Sequence, residues 1–254
     1  MMMKQGDIAQ CLWHHLSETA QNVPVEDVRI GLGYAGVRLA GERLGVAAIL
    51  RHELEAGCTT IDQAGTLTSL GAVQLLRHLI DGRNPLDKAL GLATANALIS
   101  PDAEQEEKDT LEMIHLTPHD RVAMVGFFGP LIAKIRDTGA KLSIIERDSR
   151  RTEVSDEQTK ERILEECTVA IITATALVTN TLEEILNSLG TPRHVAVIGP
   201  STPLCKEAFE GTPVTHLGGS AIVDIPKILQ IISEGGGTPA MRPYLRFVNI
   251  LLRG

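Results

Sequence analysis

VAMVGFFGPLIAKIRDTGAKLSIIERD, residues Val122 to Asp148, sets a run of small and branched apolar residues before a glycine-bearing turn, a helical pattern, and a second apolar run closed by acids. That order reads strand, turn, helix, strand, the opening unit of a nucleotide-binding sheet. The turn departs from the dinucleotide fingerprint. Gly126 and Gly129 give G-x-x-G, and Phe128 stands where a glycine would let the backbone approach a pyrophosphate. Pro130 suits a first helical turn, whose N-terminus favours an anion. Glu146 lies twenty residues after Gly126, a spacing that suits a ribose-binding acid. Gly126, Phe127, Phe128, Gly129, Pro130 and Glu146 are therefore candidate contacts for a polar or anionic ligand. The competing reading is a purely structural turn.

Outward from this stretch the alternation continues. Strands are expected at 121–126, 141–146, 168–173, 194–199 and 213–217, with helices near 130–138, 156–166, 180–189 and 225–234. Short apolar strands separated by helices imply a Rossmann-like, doubly wound parallel sheet covered on both faces, with ligands beyond the strand C-termini. Polar residues follow two more strands. Thr173 and Thr175 open one loop, and Thr179, Asn180 and Thr181 precede its helix, with Thr179 or Asn180 as its cap or with these hydroxyls and the amide lining a cleft. Gly199, Pro200, Ser201 and Thr202 follow the next strand and offer hydroxyls and backbone N–H groups to a carboxylate or phosphate. Cys205 is either a soft metal donor or a packed thiol, and His216 either a ligand or a structural strand-end residue.

Upstream the pattern differs. A helix is expected at about 8–21, then a glycine-punctuated antiparallel meander over VEDVRIGLGYAGVRLAG and RLGVAAIL, then helices over LTSLGAVQLLRHLI and PLDKALGLATANALIS. The loop RHELEAGCTTIDQAGTL carries Cys58 among hard donors without regular metal spacing. Asn96 is the lone amide of GLATANALI, so it either ties elements together or points into a cleft. The acidic stretch SPDAEQEEKD marks a boundary between a smaller α+β domain, 1–105, and the α/β domain, 106–254.

The chain of 254 residues is 43% hydrophobic, with net charge −8. That balance disfavours nucleic acid as a partner, since phosphate binding needs clustered Lys and Arg. No apolar run reaches the roughly 18–20 residues of a membrane span. The N-terminus lacks a secretory pattern, so the chain reads as cytoplasmic. Four widely spaced cysteines without a CxxC pair argue against a disulfide framework. A homodimer is the expectation from the commonness of twofold assemblies.

The segments VGFFGP, IIERD, TATALVTNTLEEIL, GPSTPL, HLGGSAIVD, GGGTP and NPLDKALGLATANAL together resemble a family described as putative heavy-metal chelation. The resemblance spans nearly the whole chain. It implies an enolase N-terminal-like α+β domain, a Rossmann-like domain, and a site in the cleft between them. Three functions stay open. One is an enzyme-like protein acting on a small anionic or metal-chelating molecule in that cleft. Another is a binding protein that sequesters a divalent heavy metal without turnover, with Cys58, Cys205 and His216 as donors. The third is a nucleotide- or SAM-type cofactor enzyme, which Phe128 disfavours. No nucleophile–base pair identifies a reaction.

Overall fold

A computed structural model describes residues 2–54, 61–100, 105–146 and 156–252. Helix α1 (Asp7–Leu16) leads into an antiparallel meander of β1 (Val25–Ile30), β2 (Tyr34–Leu39) and β3 (Arg43–Ala48). Helix α1 ends at Leu16, short of the expected residue 21, the chain continues in turns over 17–22, and left-handed Asn22 and then Pro24 lead it into β1. Helices α2 (Ala72–Asp81) and α3 (Pro85–Leu98) follow. Asn84 caps α3, its Oδ1 accepting from the N–H groups of Leu86 and Asp87, both at 2.9 Å, and Pro85 takes the first helical position.

Period-two alternation divides the meander between two layers. Ala35, Val37, Leu39 and Ala47 face the core shared with α2 and α3. Tyr34, Leu44 and Val46 face the other way, onto Ile228, Leu229 and Ile232 of α9 (Ile225–Ser233), from the C-terminal half of the chain. Gly45 explains how close α3 comes. A Cβ there would sit 2.0 Å from the Ala93 carbonyl oxygen and 2.3 Å from the Ala97 nitrogen.

After α4 (Thr110–Ile114) the chain builds the larger sheet. Its elements are β4 (Arg121–Val125), α5 (Gly129–Asp137), β5 (Lys141–Ile145), α6 (Glu157–Glu166), β6 (Val169–Thr173), α7 (Thr175–Val178), α8 (Leu182–Asn187), β7 (His194–Ile198) and β8 (His216–Ile222), then α9, α10 (Thr238–Met241) and β9 (Leu245–Leu251). The strand order is β5-β4-β6-β7-β8-β9, parallel through β8. Alternate residues serve opposite faces. Ala123, Ala170, Ile172, Val195 and Val197 belong to the core shared with α1–α3, whereas Val122, Met124, Val169, Ile171 and Ala196 pack with Ile114 and Ile135. Both faces are thus buried, as a parallel sheet requires.

Two expectations need correcting. The sequence pattern offers no strand after residue 217, yet LRFVNIL forms β9, antiparallel to β8 from His216↔Leu251 to Ile222↔Leu245. β8 itself runs through His216–Ile222, later than the expected 213–217, because LGGSAI pairs along its whole length with β9. At the N-terminal edge, Arg193 grips buried Asp120 with two bonds, Nε to Oδ1 at 3.0 Å and Nη2 to Oδ2 at 2.9 Å. The guanidinium holds that carboxyl well below the usual carboxylate range. Among the described residues, no helix is long and apolar enough to cross a membrane.

Candidate functional site

The sequence-predicted residues fall into several places. The first is the C-terminal edge of the sheet, where the strand order reverses between β4 and β6. Gly126 leaves β4 with φ +97°, its N–H donating to the Ile145 carbonyl at 2.9 Å. A Cβ at Gly126 would lie 2.8 Å from the Thr173 side chain, so the turn sits directly on the end of β6. Thr173 and Thr175 share a hydroxyl–hydroxyl bond of 2.9 Å. Phe127 is exposed, whereas Phe128 packs on the core beneath α5. The Phe128 ring reaches within 4.0 Å of where a Gly199 Cβ would be, after β7. The ring therefore lies between the turn after β4 and the turn after β7, at the C-terminal edge of the sheet. Glu146, half-buried, directly follows β5.

The second place is a cavity of about 270 Å³ between the meander and the ends of β7, β8 and β9. Asn96, Pro200 and Thr202 line it, together with Arg43, Ser220 and Arg246, which the sequence had not singled out. The wall is built by hydrogen bonds between the two sheets. Asn96 Nδ2 donates to the Val46 carbonyl at 3.0 Å and the Ser201 carbonyl at 3.1 Å. The Ser201 hydroxyl accepts from the Ala48 N–H at 2.9 Å. Asn96 and Ser201 are thus committed to joining the sheets. Thr202 is different. It is 3% exposed, and its hydroxyl has no hydrogen-bond partner. The Ser220 hydroxyl, on β8, is likewise buried without one. Buried polar groups are rarely left so. At the rim Arg43 Nε donates to the Ala40 carbonyl, and Arg246 forms an exposed ion pair with Glu107 at 2.9 Å.

Asn180 and Thr181 face elsewhere. Asn180, at φ +54°, accepts from Lys88 Nζ on α3 through its side chain and from Gln5 through its carbonyl. Thr181 bonds the Thr179 hydroxyl at 2.9 Å. His216 is fully buried at the start of β8, in a chain of contacts. Its Nδ1 lies 3.1 Å from His194 Nε2, and its Nε2 lies 2.9 Å from Asn249 Oδ1. Asn249 is anchored in turn by Thr110 and by the Lys108 carbonyl. Burial disfavours the protonated form of both rings. His194 is pushed down to about 4, with His216 and Arg193 adding to the effect, and His216 is lowered too. Asn249 was legible only as a lone amide in an apolar run.

Of the three metal donors expected, Cys58 lies outside the described residues. His216 is taken up by its chain of partners. Cys205 is buried, and burial pushes its thiol up to about 12. Its Sγ, the His15 ring and a Glu207 carboxylate oxygen lie within 4.8 Å of one another, the one such three-donor group found among the described residues. His15 and Glu207 were not among the expected donors. Their meeting depends on α1 packing against the 3₁₀ turn Lys206–Phe209.

Two family models match the chain, over residues 14–99 and 109–251, and both are described as putative heavy-metal chelation. An uncharacterized protein of Methanocaldococcus jannaschii is 25% identical over 224 residues, covering 84% of this chain and 85% of its own length. A crystal structure of a protein of unknown function from Pyrococcus horikoshii superposes with a TM-score of 0.83 at 22% identity, covering 96% of this chain and 99% of that one. A second, from Desulfitobacterium hafniense, gives 0.77 at 21% identity, covering 97% and 98%. At these identities the likeness concerns the fold.

Proposed function

Because the chain belongs to the family described as putative heavy-metal chelation, we propose that it binds a small anionic, metal-chelating molecule in the cavity between its two sheets. The observation that carries this reading is the pair of partnerless hydroxyls, Thr202 and Ser220, on the wall of one cavity. Each oxygen is shut off from solvent without the hydrogen bond that burial demands, and a turn of the side chain toward the cavity would let a ligand's carboxylate or hydroxyl supply it. Arg43 and Arg246 give the same cavity its cationic groups, and guanidinium is suited to planar carboxylates. A volume near 270 Å³ is small beside the roughly 300–1,000 Å³ of drug-sized sites, so the ligand is small.

The lining favours binding over turnover. Neither His nor Cys is among the described residues that line the cavity, so no nucleophile–base pair of that kind faces the ligand. A metal ion would enter as part of the ligand's complex rather than on protein donors. We read residues 1–105 as an enolase N-terminal-like domain and 106–254 as a Rossmann-like one, with the cavity between them. The meander followed by α2 and α3, and the sheet's switch in strand order, support that division. A nucleotide or SAM-type cofactor is the weaker reading, because Phe128 stands where a glycine would let the backbone approach a pyrophosphate.

Thermal unfolding with citrate and with nitrilotriacetate, each with and without one equivalent of zinc, tests the proposal. A ligand at about a hundred times its dissociation constant stabilises by about 2.7 kcal/mol. The stabilisation should disappear in Thr202→Val and weaken in Arg43→Gln. Stabilisation that persists unchanged in both variants, or that no anionic chelator produces, overturns the reading.

A further inference from the structure

A second cluster, separate from the cavity, brings three different metal donors together. His15 sits in the last turn of α1, Cys205 immediately precedes the 3₁₀ turn Lys206–Phe209, and Glu207 lies within that turn. The Cys205 Sγ is 3.4 Å from Glu207 Oε2, and His15 Nε2 is 3.8 Å from the same oxygen. Donors around a tetrahedral ion with bonds of about 2.0–2.3 Å stand roughly 3.3–3.7 Å apart. Those two spacings match to within a few tenths of an ångström, and the His15 ring and Cys205 sulfur, within 4.8 Å of each other, close by up to about an ångström around an ion.

We propose that His15, Cys205 and Glu207 form a binding site for one thiophilic divalent cation, of the zinc or cadmium kind. The donor chemistry selects the ion. Thiolate and imidazole suit zinc-like and softer metals, whereas calcium and magnesium take oxygen ligands. On binding, the Cys205 thiol loses its proton to solvent and the thiolate sulfur bonds the metal. Three protein ligands leave a fourth position for water or for a ligand atom of an incoming chelate, the arrangement of an open rather than a closed structural site. The site is also reachable. The His15 and Glu207 side chains are 46% and 55% exposed, while Cys205 is buried beneath them. An ion held this way can be exchanged, which suits a protein that handles metal rather than one folded around it. The proposal stands apart from the cavity reading, and none of its three donors lines that cavity.

The test uses the full chain, reduced and stripped with a chelator, then titrated with Cd²⁺ while its ultraviolet thiolate-to-metal charge-transfer band is followed. Zn²⁺ competition gives the second affinity. One equivalent of Cd²⁺ should saturate the band. Cys205→Ser should abolish it, while Cys11→Ser and Cys58→Ser should keep it. His15→Gln should weaken binding at least roughly tenfold, the scale that even outer-shell changes produce at metal sites. His15 is exposed, so that variant keeps the fold, as circular dichroism would verify, and it decides the matter if Cys205→Ser fails to fold. The proposal is overturned by absence of a saturable band, by a band that survives in Cys205→Ser or vanishes in Cys11→Ser or Cys58→Ser, or by unchanged affinity in His15→Gln.

Discussion

The hydroxyl of Ser201, just after β7, accepts the backbone N–H of Ala48 at the end of β3, 2.9 Å away. This single bond crosses from the larger sheet to the smaller one. Because β3 is an edge strand and Ala48 faces Tyr34 in its pairing with β2, the outward Ala48 N–H depends on that hydroxyl in a part-buried setting. Ser201→Ala removes the acceptor and leaves a donor unpaired. The expected cost is about 1–3 kcal/mol, read as a lower urea midpoint with an unchanged slope. An unaltered midpoint would mean that water replaces the hydroxyl freely and that the bond does not join the sheets.

The neighbouring Thr202 should behave in the opposite way. Its hydroxyl is buried without a partner, and valine has nearly the same shape. Thr202→Val therefore removes a desolvated polar atom without opening a void. The ligand-free protein should be unchanged or up to about 1–2 kcal/mol more stable. Stability given up at one residue for the sake of a ligand is a mark of a functional site. Thermal unfolding of Ser201→Ala and Thr202→Val side by side checks the contrast. A comparable loss in both would show that the Thr202 hydroxyl serves the fold.

Gly45 gives a sharper test of how the smaller sheet is covered. Any Cβ there meets the Ala93 carbonyl oxygen at 2.0 Å, and backbone cannot rotate away as a side chain can. Gly45→Ala must push α3 off β3, at a cost of at least ~3 kcal/mol. Gly71→Ala serves as control, since its added methyl finds nothing nearer than 3.9 Å. The expectation is a large drop in melting temperature for the first variant and little change for the second. Equal melting temperatures would mean that α3 is not seated on Gly45.

These contacts show where local sequence carries the structure and where it does not. The β4–α5–β5 unit was legible because apolar runs, a left-handed Gly126 and Pro130 are local signals within one stretch. The meander was legible from its glycines, although Gly45 serves helix approach rather than a turn. β9 escaped notice because its identity comes from pairing with β8 across α9 and α10, and no turn signal joins the two strands directly. The cavity was half legible. Thr202 belongs to a conspicuous loop after a strand, but Ser220 sits in a glycine-rich run, and Arg43 and Arg246 lie at opposite ends of the chain. The meeting of His15 with Cys205 is wholly tertiary. Nothing in the spacing of α1 announces which of its exposed residues will find the turn after β7.

Acid should weaken the fold in a window set by His194. In the folded chain, burial first, then the neighbouring His216 and Arg193, push its ring down to about 4 from the usual 6.5. Between those values the unfolded chain binds the proton and the folded chain does not. Stability is therefore full above about 6.5 and falls as pH drops toward 4. Each tenfold difference in proton affinity is worth about 1.4 kcal/mol, so the loss across the window is on the order of 2–3 kcal/mol. Asp120 contributes lower down. Arg193 depresses its pKa, so its stabilisation is intact above the ordinary carboxylate value and is lost only as pH falls further. Urea midpoints measured from neutral pH to about 4 should slope downward in the native chain, and that slope should flatten in His194→Gln, which cannot take up the proton. A flat profile in the native chain, or an equal slope in both, would place the acid sensitivity outside His194.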